Sequence, residues 1–228
     1  MVQIIPTVLA TSEEQYQKDI ARFAAVEALQ GGWVHLDFMD NKFVPNHGIR
    51  PLVTSKFEIP FKKEAHLMVQ YPKEWIDELV KADFKRVFLH LEADGVSDSI
   101  DCGKTKGLEV GLVVNYETPL EKLEPFVSKI DSVLLMSVVP GFQGQPFIDG
   151  ILDKIKDSKS RKWPVRVGVD GAVRDANIKQ LVDAGVDYVI VGSFLLKGDV
   201  EENLEKLWLK CHSGISADQG HFADEIGI

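Results

Sequence analysis

One short segment carries two residues that could do chemistry where a buried strand normally carries valine or isoleucine. Residues 34–46 read VHLDFMDNKFVPN, and within them His35 and Asp37 are separated by one apolar residue. Side chains alternate along a strand, so this spacing puts an imidazole and a carboxylate on one face and Leu36 and Phe38 on the other. An unpaired charge on a buried face is costly, which points to a role for the pair. Such a pair can bind a divalent cation or move a proton. His66 in KEAHLMV (63–69) and Asp170 in VRVGVD (165–170) stand near the ends of similar apolar runs. Two imidazoles and two carboxylates meeting at one place suit Zn²⁺, Fe²⁺ or Mn²⁺ better than Ca²⁺ or Mg²⁺. A lone histidine at a strand end is by default a satisfied core residue, and His47, His90, His212 and His221 are read that way.

These four residues act together only if the fold brings their strand ends to one rim. Short β-branched runs at 4–9, 33–38, 63–69, 86–91, 109–114, 132–138, 165–170 and 187–192 read as eight strands. Helical spacing appears between them, with Tyr16, Ile20, Phe23, Ala24 and Ala28 over 13–29 and Ile178, Leu181 and Val182 after the seventh strand. Ser12 and Gln15 have the spacing of a capping box, Pro72 opens a helix, a helix is expected after Thr118-Pro119, and a last one spans 199–210. Alternating strands and helices predict a parallel sheet, and eight units predict a closed (β/α)₈ TIM barrel in one domain over residues 1–210. The rival, an open doubly wound sheet, lacks a GxGxxG turn after the first strand. Residues 211–228 read as a polar C-terminal tail.

In such a barrel chemistry sits at the C-terminal ends of the strands, where the last loops often hold a phosphate. VPGFQGQPF (139–147), DGAVRD (170–175) and VGSFLLKGD (191–199) are small-residue loops of that kind, and Gly141, Gln143, Gly144, Gly171, Ala172, Gly192 and Ser193 are the candidate binding residues. Met39, Met68 and Met136 also fall at strand ends. Each alone is core filler, but together they would form an apolar layer beside a reactive intermediate.

Composition narrows the classes. The 228 residues are 45% hydrophobic and carry a net charge of −9. That balance argues against nucleic acid and anionic membranes as partners. Two cysteines give no disulfide framework, and neither a signal peptide nor a membrane span is apparent, so a cytoplasmic location is expected.

The motifs resemble those of the ribulose-phosphate 3-epimerase family from about residue 4 to 208. HLDFMDNKFVPN is similar to H-x-D-x-M-D-G-x-F-V-P-N, AHLMV (65–69) to H-L-M-V, and LHLEAD (89–94) to H-x-E-A. MSVVPGFQGQPF (136–147) is similar to M-S-V-N-P-G-F-G-G-Q-x-F, and VDGAV (169–173) and VGSFLL (191–196) to V-D-G-G-V and A-G-S-x-I-F. The resemblance implies a barrel of the ribulose-phosphate-binding type that interconverts D-ribulose 5-phosphate and D-xylulose 5-phosphate at C3. It implies one divalent metal, zinc first and iron or manganese next, held by His35, Asp37, His66 and Asp170. Asp37 and Asp170 become the acid/base pair, with Thr7 and His66 among the substrate-binding residues, and a homo-oligomer is expected. Inverting C3 requires removing a proton from one face and returning one to the other, which explains two carboxylates. A metal stabilises the enediolate charge as a Lewis acid.

Several positions depart from the family pattern. Thr7 replaces Ser, Asn41 and Lys42 replace Gly-His, Val139 replaces Asn, Gln143 replaces Gly, and Ala172 replaces the second Gly of D-G-G. The last puts a methyl near the expected phosphate. All four ligands and three methionines remain. A 3-epimerase of a hexulose 6-phosphate, of the allulose 6-phosphate type, is the alternative, followed by a non-catalytic sugar-phosphate-binding barrel. A decarboxylase of a related barrel is disfavoured, because no D-x-K-x-x-D lies at a strand end.

Overall fold

The computed structural model describes residues 2–142 and 144–211. Eight strands close into an all-parallel barrel in chain order: β1 (Gln3–Leu9), β2 (Trp33–Met39), β3 (Lys62–Met68), β4 (Phe84–His90), β5 (Glu109–Val114), β6 (Ser132–Met136), β7 (Arg166–Asp170) and β8 (Tyr188–Val191). Parallel strands are buried on both faces, which accounts for their almost unbroken apolar runs. Outward-facing Leu36 and Phe38 pack under the helices in one large core. Inward-facing Ile5, Phe88, Val113, Leu134, Met136, Tyr188 and Ile190 form a second core inside the barrel. Tyr188 fills the space left by Gly168, where an added Cβ would lie 2.1 Å from the ring, and its hydroxyl donates to the Val133 carbonyl at 3.0 Å.

Six α-helices are found among the described residues: α1 (Glu13–Ala24), α2 (Lys73–Lys81), α3 (Val96–Thr105), α4 (Ile151–Ser160), α5 (Ile178–Ala184) and α6 (Val200–Cys211). Half of the expected capping box forms. The Ser12 hydroxyl accepts from the Gln15 N–H at 3.2 Å, while the Gln15 side chain turns to Thr11. The first helix is shorter than expected, because Val26 takes an extended conformation and a separate 3₁₀ turn follows at Glu27–Leu29. The helix expected after Thr118-Pro119 is a single 3₁₀ turn, Leu120–Leu123. Pro125 explains this, since it lacks the N–H that would continue the helical ladder to the Glu121 carbonyl. The connection after β2 likewise holds only a 3₁₀ turn, Pro51–Lys56. Cys211, the first residue of the expected tail, is helical in α6, and the remainder of that tail, 212–228, lies outside the described residues.

Strand register positions the site. Thr7 pairs with His35, His35 with Glu64, Asp37 with His66, and Met136 with Asp170. Strands β1, β2 and β3, with β7 across the barrel, therefore present Thr7, Asp37, His66 and Asp170 to the interior near one rim.

Candidate active site

One ligand atom from each of His35, Asp37, His66 and Asp170 lies within 4.8 Å of the other three, and all four residues are buried. His66 Nδ1 is 2.8 Å from Asp37 Oδ1 and 3.6 Å from Asp170 Oδ2. His35 Nε2 is 3.7 Å from Asp37 Oδ1. It is a buried nitrogen with no hydrogen-bond partner, aimed into the cluster. An unpartnered polar atom in a dry interior is costly, and a metal ion in the cluster would satisfy it. The other face of the His35 ring is fixed, with Nδ1 2.7 Å from Glu64 Oε1. Arg86 Nη1 donates to Glu64 Oε2 at 2.8 Å, and its guanidinium lies 4.0 Å from the centre of the Trp33 ring. A carboxylate behind a ligating imidazole sets which nitrogen is free for a metal, so the residues present fit a divalent ion with N₂O₂ donors.

The electrostatics set the two carboxylates apart. Burial works against the Asp37 carboxylate. The hydrogen bond from His66, the charges of His35 and His66 and the Thr7 hydroxyl outweigh it and hold Asp37 below its ordinary value. Burial and then the charge of Asp37 push Asp170 up to about 6. Two carboxyl groups with separated affinities for a proton are what an acid/base pair requires. Burial lowers the proton affinity of His35, but the hydrogen bond and charge of Glu64, then Asp37 and Asp170, raise it to about 9. A metal binding there would displace that proton.

Most of the expected substrate-binding residues line one cleft above the cluster. Thr7, His66, Met68, Met136, Gly141, Gly144, Gly171, Ala172, Gly192 and Ser193 share it with Asp37 and Asp170. The Thr7 hydroxyl donates to Asp37 Oδ2 at 3.0 Å. Met39 lies outside that lining and packs on Val44 and Met68, so of the three methionines only Met68 and Met136 line the cleft, beside Leu9, Val138 and Ile190. Gln143 lies outside the described residues. Gly171 has φ +114°, and a Cβ there would come within 2.6 Å of Val138. Ala172 holds φ 50°, the left-handed conformation that glycine normally supplies. Asn41 has φ 60° where the family pattern has glycine, a conformation asparagine tolerates.

Some residues around the site escaped the sequence reading. Glu64 and Arg86 face inward, and Glu64 sits two residues before His66, the same spacing that singled out His35 and Asp37. His90, read as a core histidine, has Nε2 2.9 Å from His66 Nε2 and Nδ1 3.3 Å from Glu92. Burial lowers its pKa to about 4, against the opposing pull of Glu92. Ser137 donates to the Asp170 carbonyl at 3.0 Å and steadies the backbone at the end of β7.

Comparison with known proteins agrees with this geometry. The ribulose-phosphate 3-epimerase of Serratia marcescens is 38% identical over 200 residues, covering 83% of this chain and 93% of its own. That of Schizosaccharomyces pombe is 32% identical over 212 residues, covering 90% and 92%. Solved structures of a 3-hexulose-6-phosphate synthase from Salmonella typhimurium (TM-score 0.67, 14% identity, covering 92% of this chain and 98% of its own) and of a tryptophan synthase α-subunit mutant from Pyrococcus furiosus (TM-score 0.67, 16% identity, covering 90% and 97%) share the fold. The model described as "Ribulose-phosphate 3 epimerase family" matches residues 3–196, nearly all of the barrel. The chain therefore belongs to the ribulose-phosphate 3-epimerase family and is an epimerase.

Proposed function

We propose that the chain interconverts D-ribulose 5-phosphate and D-xylulose 5-phosphate at C3, with a divalent metal, zinc first, held by His35, Asp37, His66 and Asp170. The observation that carries the metal reading is the orphaned His35 Nε2 facing three further donors. When bound, the metal supplies Lewis-acid stabilisation of negative charge developing on the substrate. The protein's own residues do the rest. Asp37, which accepts from the Thr7 hydroxyl, is the base toward one face of C3. Asp170, on a strand across the cleft mouth and protonated more readily, returns a proton to the other. Met68 and Met136 keep water from the reacting carbon. Backbone N–H groups of the Gly171–Ala172 and Gly192–Ser193 turns, which line the cleft, would hold the phosphate. The same reading carries a homo-oligomer and a cytoplasmic location. Sedimentation tests the first and imaging of a tagged chain the second. No helix among the described residues is long and apolar enough to cross a membrane.

Asp37→Asn and Asp170→Asn are each expected to lower kcat by at least about 100-fold, the range for losing a positioned acid or base. Retention of full epimerase activity by either variant would overturn the two-carboxylate assignment. Comparing kcat/KM for ribulose 5-phosphate with that for a hexulose 6-phosphate tests the substrate, and preference for the longer sugar would displace the pentulose reading.

A further inference from the structure

We propose that His90 and Glu92 form a proton-ordering relay that makes His66 present Nδ1, and not Nε2, to the metal. The inference rests on the metal reading above and assigns positioning roles to two residues outside the ligand set.

His66 Nδ1 is the nitrogen that faces Asp37 and Asp170, so it is the one available to a metal. A neutral imidazole that gives its Nδ1 lone pair to a metal carries its proton on Nε2. The partner of that Nε2 is His90 Nε2, at 2.9 Å. The two ring centres are 5.0 Å apart with 25° between the planes. A centre-to-centre distance so much longer than the nitrogen contact puts both nitrogens between the rings, in the manner of a hydrogen bond and not of a face-to-face stack. His66 Nε2–H therefore donates, and His90 Nε2 must accept. His90 then carries its own proton on Nδ1, where Glu92 Oε2 receives it at 3.3 Å.

Glu92 is held so that it can only accept. Its Oε1 takes the Asn115 N–H at 3.1 Å and the Thr118 hydroxyl at 2.5 Å. The loop that supplies both donors is tied down in turn. Lys154 on α4 donates through Nζ to the carbonyls of Asn115, Tyr116 and Thr118 at 2.7, 2.8 and 2.5 Å. Phe43 covers the outer face of His90, with ring centres 4.7 Å apart. Each metal-facing histidine thus has a carboxylate behind it. His35 has Glu64 directly, itself anchored by Arg86, and His66 has Glu92 through one intervening imidazole.

Glu92→Gln tests the relay because it preserves shape and reverses polarity. With its carbonyl oxygen kept toward Asn115 and Thr118, the new amide turns an N–H toward His90 Nδ1. His90 must then accept there and carry its proton on Nε2. That proton faces His66 Nε2, so the His66 proton moves to Nδ1, the metal-facing atom. Zinc affinity measured by chelator competition is expected to fall about 10–100-fold, while the folded circular dichroism spectrum is kept. A change below about threefold overturns the proposal, provided the unmutated protein binds zinc. If the unmutated protein binds none of zinc, iron or manganese, the metal reading itself falls, which is a distinguishable failure. A second readout needs no variant. Nitrogen-15 histidine spectra of the zinc-loaded protein should show His90 protonated at Nδ1 with Nε2 as an acceptor. A proton on His90 Nε2 in that form would equally overturn the relay.

Discussion

Glu64 is the residue whose replacement most directly tests how the barrel interior supports the site. It is fully buried and shared between two donors, His35 Nδ1 at 2.7 Å and Arg86 Nη1 at 2.8 Å. Glu64→Gln keeps the volume but offers one acceptor and one donor where two acceptors are needed. One orientation sets an amide N–H against Arg86. The other sets it against His35 Nδ1 and drives the imidazole proton toward Nε2, where a metal would bind. Removing one charge of a buried pair costs roughly 3–5 kcal/mol. Arg86 retains Glu109, whose carboxylate lies 2.7 Å away on a half-exposed side chain, and it retains its stacking on Trp33. These remaining partners place the expected loss near the low end, about 3 kcal/mol. Urea unfolding of metal-free protein at pH 7, with an unchanged m-value, measures it. Arg86→Met added to Glu64→Gln removes the stranded cation, so the double variant should recover about 1–3 kcal/mol relative to additivity. A single variant within about 0.5 kcal/mol of the parent, or strict additivity in the cycle, would refute this reasoning.

Further outcomes follow from the same structure. In metal-free protein the pKa of His35 stands at about 9, above its unfolded value of 6.5, so its contribution is complete below pH 6.5 and is lost as pH rises toward 9. Unfolding titrations of chelated protein should therefore show stability falling by about 1.5 kcal/mol between pH 6.5 and 8, and zinc saturation should abolish the fall. A flat profile in the chelated protein would count against a proton held at His35. Below that window, rising pH removes the contribution of Asp170 up to about pH 6 and restores that of His90 from about pH 4, so the two offset. Ala172→Gly relieves a left-handed alanine at φ 50° and should stabilise by up to about 1 kcal/mol after glycine's entropy cost. Gly171→Ala should destabilise by about 2 kcal/mol or more, because φ is +114° and Val138 blocks the new methyl. A thermal melt lowered in Ala172→Gly would contradict the first assignment, and one unchanged or raised in Gly171→Ala would contradict the second.

The strands were legible in the sequence because burial on both faces leaves an apolar signature with clear ends, and β5 falls at 109–114 as read. The connections were less legible. Pro125 sits where helical spacing alone suggests continuation, and Val26 breaks a pattern that its apolar character supports. At the site, His35 and Asp37 were visible because their i, i+2 spacing puts two polar groups on one face. Glu64 has the same relation to His66, and Arg86 lies four residues before His90 on the same face of its strand. A buried ion pair on the inner wall nevertheless has no sequence mark that separates it from an exposed one. His90 escaped for a different reason. Its role depends on a nitrogen contact between β3 and β4, and only strand register creates that contact. Met39 shares the strand parity of Asp37 but packs away from the cleft, since the loop carrying Val44 covers it.

The most direct measurement is nuclear magnetic resonance of D-ribulose 5-phosphate incubated in D₂O with zinc-loaded and chelator-treated protein. D-xylulose 5-phosphate carrying deuterium at C3 is expected in the first case and neither product nor exchange in the second. Product that retains the original C3 proton, or turnover unaffected by removing the metal, would contradict it.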